Sequence, residues 1–191
     1  ECFGAFNWEA LGYRDWTNQN AFDLRDLSSK PILEQPEGSI KFVKVPNGVV
    51  FKEIGFMSPV NETDTFLVNI AKLKSHGMGI TASVKNLQGT CTHTFHLFCT
   101  RYNQVLASCD KRYHPYFHDD FEKHIESLYA KHVKQKIPRW DRPGPDGGIW
   151  MEQWVNRMRD ALSVTKPGIN IVEGIYAHEG DGLGGGPEGK G

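Results

Sequence analysis

One stretch constrains this chain more than any other: FLVNIAKLKSHGMGITASVKNLQGT, residues 66–90. Its apolar start, 66–71, reads as a buried β-strand bounded by turn residues. The strand runs into Lys72, Lys74 and His76, crosses Gly77 and Gly79, and enters a segment carrying Thr81, Ser83, Lys85 and Asn86. That segment, 81–87, reads as a short helix. Ligands of open α/β sheets bind outside the carboxyl ends of the strands. Glycine lets a backbone come close to a ligand, and a helix start offers free amides to an anion. The stretch therefore marks a candidate site. Lys74 and Lys85 are placed to hold an anionic group and His76 to act as acid, base or ligand. Lys72, Gly77, Gly79, Thr81 and Asn86 would line it. The plainer alternative is a solvated strand end followed by a helix with scattered polar residues. The gathering of donors around two glycines weighs against it.

The remaining elements give the setting. Residues 21–27 suit a short strand. Residues 40–45 (IKFVKV) read as a strand, Pro46-Asn47-Gly48 as a turn, and 49–54 as the returning partner of a hairpin. Residues 119–136 form the clearest helix, with Phe121, Ile125, Leu128, Tyr129 and Val133 on one stripe. Asp119 and Glu122 can form its capping box, and Pro138 ends it. A second helix spans 149–162, with Met151, Val155, Met158 and Leu162 as its stripe and Trp150 and Trp154 on a flank. Residues 169–175 (INIVEGI) read as a second buried strand. Strands separated by helices predict an α/β fold with a mostly parallel sheet flanked by helices. We expect one domain over 1–191, with a helical insertion over 100–165 and long Gly/Pro-rich loops.

A second loop, EGIYAHEGDGLGGGPEGKG at 173–191, follows that strand. Its Glu173, Glu179 and Asp181 are hard oxygen ligands on a glycine frame and could hold a divalent cation; His178 lies among them. A surface loop or fraying end is the alternative. If the two strands are parallel neighbours, both loops emerge at one sheet edge, with Lys74, His76 and Lys85 across from Glu179 and Asp181. A third cluster, Cys91, His93, His96, Cys99, Cys109, His114 and His118, is dense in soft and borderline ligands. Strand alternation puts 91, 93 and 99 on one face and 96 on the other, so core or interface roles fit it better than a four-ligand metal site.

Composition closes off several classes. A net charge of −1, and nine Lys/Arg against six Asp/Glu over 101–142, lack the basic footprint of a nucleic-acid binder. No apolar run reaches the roughly 18 residues of a membrane span. The four cysteines contain no Cys-x-x-Cys pair, so neither a redox motif nor a zinc ribbon is supported; reduced thiols, disulfides and metal ligation all stay open. The first residue is Glu and the last residues are glycine-rich, from which we expect a piece of a longer, processed protein. A removed signal would make it an exported, periplasmic one.

The run AKLKSHGMGITASVKNLQG resembles the central signature of the DUF362 family: a strand, a Lys-x-Lys-x-His step, a Thr, and a Lys-Asn-Leu-x-Gly close. NIVEGIYAHEGDGLGGGP is similar to its later signature, an apolar strand with an acid followed by a glycine-rich loop. The resemblance carries Lys72, Lys74, His76, Thr81, Lys85, Asn86, Glu173, Glu179 and Gly180 as motif residues. It implies an α/β domain of unknown function, with redox-associated members among its relatives. Some of those carry ferredoxin-type cysteine clusters; this chain has none, so an iron–sulfur cluster is not expected here. The cofactor stays unassigned, with a divalent metal the one the acidic loop would suit. Two readings compete. One is an enzyme or redox-associated protein holding a small anionic ligand or metal. The other is a non-catalytic subunit whose aromatic-rich insertion, with Tyr113, Tyr116, Phe117, Trp140, Trp150 and Trp154, binds a protein partner.

Overall fold

A computed structural model describes residues 2–4, 24–26, 38–76, 79–92, 111–138, 140–141, 147–178 and 188–190. The elements are β1 (Cys2–Gly4), β2 (Leu24–Asp26), β3 (Ile40–Lys44), β4 (Glu53–Met57), β5 (Val68–His76), β6 (Gly79–Thr81), α1 (Ser83–Leu87), α2 (Phe121–Lys134), α3 (Gly148–Val164), β7 (Ile169–His178) and β8 (Glu188–Lys190). Two 3-10 turns, Gln88–Thr90 and Lys111–Tyr116, punctuate the connection between β6 and α2. The fold is mixed α/β. Among the described residues the sheets are mixed and not mostly parallel: β1–β2 and β5–β7 are parallel, while β3–β4, β5–β6 and β7–β8 are antiparallel.

The hydrophobic core lies between the β3–β4 hairpin and the helices. Val45, Val50, Phe51, Ile54, Phe56, Cys91, Tyr113, Phe117, Phe121, Ile125, Trp154 and Ala161 form one buried cluster. Each large apolar side chain taken from water there contributes about 1.5–3 kcal/mol. Phe117 is central, with ring centres 5.2 Å from Phe51 and 5.9 Å from Phe121. Tyr113, Phe117 and Trp154, three of the aromatics expected at a protein interface, are therefore core residues. Tyr116 lies stacked on Phe42, with ring centres 4.7 Å apart.

The hairpin departs from its sequence reading in an instructive way. Its return strand begins at Glu53, not at Val49. The amides of Val49, Val50 and Phe51 are already committed to the carboxylate of Asp160 on α3. Val49 N lies 3.0 Å from each carboxylate oxygen, Val50 N 2.7 Å and Phe51 N 3.0 Å from Oδ2. Three successive N–H groups converging on one buried anion form a nest, and such amides cannot also enter a ladder. Gly48 is required next to this turn, because a Cβ there would fall 2.1 Å from the Phe51 carbonyl oxygen.

Helix α2 occupies most of its expected span and buries Phe121 and Ile125. The capping box does not form. Asp120 takes the N-cap position without a side-chain cap, and Asp119 pairs with Lys52 at 3.3 Å. Helix α3 puts only part of its expected apolar stripe inward: Met158 packs against the core, while Val155 is 47% and Leu162 40% exposed. Its buried residues are instead Glu152, Gln153, Trp154, Asn156, Arg157, Asp160 and Ala161. The reason is local demand for polar partners. Asp160 binds the 49–51 turn, Glu152 lies 3.2 Å from His132 of α2, and Asn156 donates to Glu152 Oε1 at 2.8 Å.

The four-stranded sheet has the order β6-β5-β7-β8. Helix α1 covers one of its faces through Asn69: the Asn69 amide donates to Ser83 O at 2.8 Å and to Asn170 Oδ1 at 2.7 Å. The other face is open. Val68, Ile70, Ile169 and Ile171 are 45%, 62%, 46% and 44% exposed, although both strands read as buried in the sequence. Parallel strands are ordinarily covered on both faces, which is why their sequences run apolar.

Two outcomes test this packing. Asp160→Ala strands three amides, two of them fully buried, and is expected to lower the unfolding free energy by about 4 kcal/mol in chemical denaturation; a loss under about 1 kcal/mol contradicts the nest. The Glu122 carboxyl is held above its ordinary value, first by partial burial and second by Glu126. A carboxyl raised in the folded state favours folding below its unfolded pKa, and that contribution is lost as pH rises through the folded value. Glu122→Gln is thus expected to raise the melting temperature at neutral pH and to leave it unchanged at about pH 3. Equal shifts at both pH values contradict it.

Candidate functional site

The two sequence motifs meet where β5 and β7 end. The strands run parallel, in register from Val68↔Ile169 to Lys72↔Glu173. Each then folds back outward. β5 continues into β6, with His76 opposite Gly79 and Lys74 opposite Thr81. β7 is joined by β8, with His178 opposite Glu188 and Tyr176 opposite Lys190. Residues Glu188–Lys190, near the end of the sequence, thus pair back onto β7 as a strand. The lysine strand also turns through a hairpin before any helix forms, so the Gly-x-Gly step leads into β6 and not directly into α1.

The expected site residues separate into groups. Lys72, Lys74, His76, Gly79 and Thr81 lie on β5 and β6 at this end of the sheet. Glu173 lies on the neighbouring strand, opposite Lys72. Its Oε1 accepts the Ile175 amide at 2.7 Å, closing a local loop in its own strand. Gly77, Glu179 and Asp181 lie outside the described residues. Lys85 and Asn86 are on α1, against the Asn69 face, whereas Val68, Ile70, Lys72, Lys74 and His76 share the opposite parity on β5. Asn86 donates to Asn69 Oδ1 at 2.8 Å and to the Ile70 carbonyl at 2.9 Å. Lys85 Nζ lies 5.8 Å from the centre of the Trp154 ring, a cation–π contact that ties α1 to α3. With only five residues, α1 presents a marginal helix end.

The ladder between the motifs is not regular. From Lys72↔Glu173 to Lys74↔His178, β5 advances two residues and β7 advances five. The three extra residues on β7 form a bulge around Gly174, and an isolated glycine inside a strand pattern is the sequence signal for one. A regular ladder would put Ile175 opposite Lys74. No sequence pattern singles out His178 or Glu188 here; the register shift and β8 bring both positions into this end of the sheet.

Elsewhere, an open cavity of about 430 Å³ is lined by Lys44, Val45, Pro46, Asn47, Lys52, Glu53 and His118, and shares no residue with the motifs. Among the described residues no three His, Cys, Asp or Glu side chains are grouped to hold a metal. Of the cysteine–histidine cluster, Cys91 is a free, buried thiol paired through its backbone with Phe56; His93, His96, Cys99 and Cys109 lie outside the described residues.

The profile described as "Domain of unknown function (DUF362)" matches residues 5–190. The chain belongs to the DUF362 family. No curated protein and no solved structure matches it. Among the described residues no helix of this DUF362 chain is long and apolar enough to cross a membrane.

Burial pushes the Cys91 thiol far above the usual range for cysteine, and the thiolate is the reactive form. Peptide mapping after brief exposure of the native chain to a thiol reagent is expected to find Cys91 unmodified, and modified once denaturant is added. Labelling of Cys91 in the native chain contradicts its placement.

Proposed function

We propose that this DUF362 protein binds a small anionic ligand at the carboxyl ends of β5 and β7. The observation that supports the reading is the parallel register of the two motif strands, which end side by side. Lys72, Lys74 and His76 would supply positive charge and a proton-handling group, and Thr81 a hydroxyl. Lys85 and Asn86, engaged with Trp154 and Asn69, would act by positioning α1. A divalent metal held by Glu173, Glu179 and Asp181 remains part of the proposal as a companion to the anion. The test is native mass spectrometry of the purified protein with elemental analysis of the same sample. A small anion is expected to travel with the wild-type chain and to be absent from Lys74→Met and His76→Gln, with melting temperatures within about 2 °C of wild type. The reading fails if the wild-type chain carries no anion and no member of a panel of phosphates and carboxylates raises its melting temperature.

A second reading rests on the open aliphatic face of β5 and β7. Exposed apolar patches of this kind mark contact surfaces, and a role as a subunit of a larger assembly would cover it. A monomeric mass in solution at working concentrations, with the face still accessible to solvent exchange, removes this reading.

A further inference from the structure

The open cavity of about 430 Å³ beside the β3–β4 hairpin carries charges of both signs. Lys44 and Glu53 stand opposite one another in the ladder, and both line it. Among the described residues neither side chain is engaged in a hydrogen bond or an ion pair. Lys52, also on the wall, is held by the exposed Asp119 at 3.3 Å. Val45 and Pro46 add apolar surface. His118 lines the cavity too, and its Nε2 is buried without a hydrogen-bond partner among the described residues. We propose that this cavity binds a small zwitterion, an α-amino acid with an apolar side chain. Glu53 receives its ammonium, Lys44 its carboxylate, and Val45 and Pro46 its side chain. The site shares no residue with the ends of β5 and β7 and does not depend on the anion reading there.

The mixture of charges selects the ligand. A simple anion entering the cavity meets Glu53, and a simple cation meets Lys44 and Lys52. Like charges brought together reject the wrong partner, so a ligand carrying both signs is the one that answers every group. Opposite residues of an antiparallel pair have Cβ atoms about 4.5–5.5 Å apart on one face. That brings both charged ends within reach of two groups borne on one α-carbon. An exposed Lys–Glu pair contributes little in water, which leaves both side chains to a ligand. The His118 nitrogen is a second, independent sign. Buried polar atoms without partners are uncommon, and one in the wall of a cavity is a donor or acceptor for a guest. The walls are also held in place before a ligand arrives. Asp160 fixes the amides of 49–51 between Asn47 and Lys52. The Val45 amide donates to the Lys52 carbonyl at 2.9 Å, and the His118 amide to the Val50 carbonyl at 3.0 Å. Arg159 Nη2 donates to the Asn47 carbonyl at 3.4 Å. A preformed wall lowers the ordering cost of binding.

Leucine is the probe, added to the isotope-labelled full chain at neutral pH and followed by backbone amide shifts. N-acetylleucine, which lacks the ammonium, and leucinamide, which lacks the carboxylate, are the controls. Leucine at millimolar concentration is expected to shift the amides of residues 44, 45, 47, 52, 53 and 118, and to bind at least about tenfold more tightly than either control. Glu53→Gln should bind leucine and N-acetylleucine alike. Lys44→Met should bind leucine and leucinamide alike, which keeps a readout if the other variant does not fold. The proposal is overturned if leucine shifts none of these amides, if either control binds as tightly as leucine, or if both variants keep the wild-type preference. Shifts confined to the residues of β5, β6 and β7 would put the carboxylate at the strand ends and overturn it as well, while leaving the anion reading there intact.

Discussion

The parallel pairing of β5 with β7 is the constraint on which everything at the candidate site depends. Two strands some ninety residues apart in sequence become neighbours only because the intervening chain crosses over, carrying α1, α2 and α3 with it. The start of the pair is fixed by several bonds. The Gly168 amide donates to the Leu67 carbonyl at 2.9 Å, and Asn69 reaches Asn170 at 2.7 Å. Asn86 then ties α1 to both the side chain of Asn69 and the backbone of Ile70. With that end pinned, the only freedom left is downstream, where β7 takes in three residues and changes what stands beside Lys74.

Among the described residues the core and the sheet are joined through Cys91 and Thr92, which pair with Phe56 and Gly55, and at two further places. The buried cluster belongs to the β3–β4 hairpin, α2 and α3, and it is held in shape by a polar contact, the Asp160 carboxylate in the amides of 49–51. Leu67 at the foot of β5 packs against that cluster, and Lys85 lies over Trp154. A substitution at Lys85 would therefore disturb how the sheet that carries the candidate site sits on its support, through α1. The candidate residues thus lie on a sheet anchored from one face and one end, with Val68, Ile70, Ile169 and Ile171 exposed on the opposite face.

Much of this was legible in the residues themselves. The apolar run before Lys72 and the run before Glu173 announced two strands, and their separation by helical patterns announced a parallel pair. The helix at 121–134 was legible from its apolar spacing. Three features escaped for physical reasons. Helix α3 was read by its apolar stripe, but Asp160, Glu152 and Asn156 had partners waiting inside, so polar side chains are buried there beside Trp154 and Ala161. The return strand of the hairpin was read from Val49 because a valine pair suits a ladder, yet no local pattern reveals that a distant aspartate takes those amides. The pairing of position 178 with position 74 depends on a register shift, and Gly174 was its only mark in the sequence.

The most direct test of the account is the strand register itself, read from backbone nuclear Overhauser contacts in an isotope-labelled chain. The account predicts inter-strand contacts linking residue 74 to residue 178 on one side and to residue 81 on the other, with residue 178 further linked to 188. Contacts linking residue 74 to residue 175 would show an unbroken ladder and would contradict it.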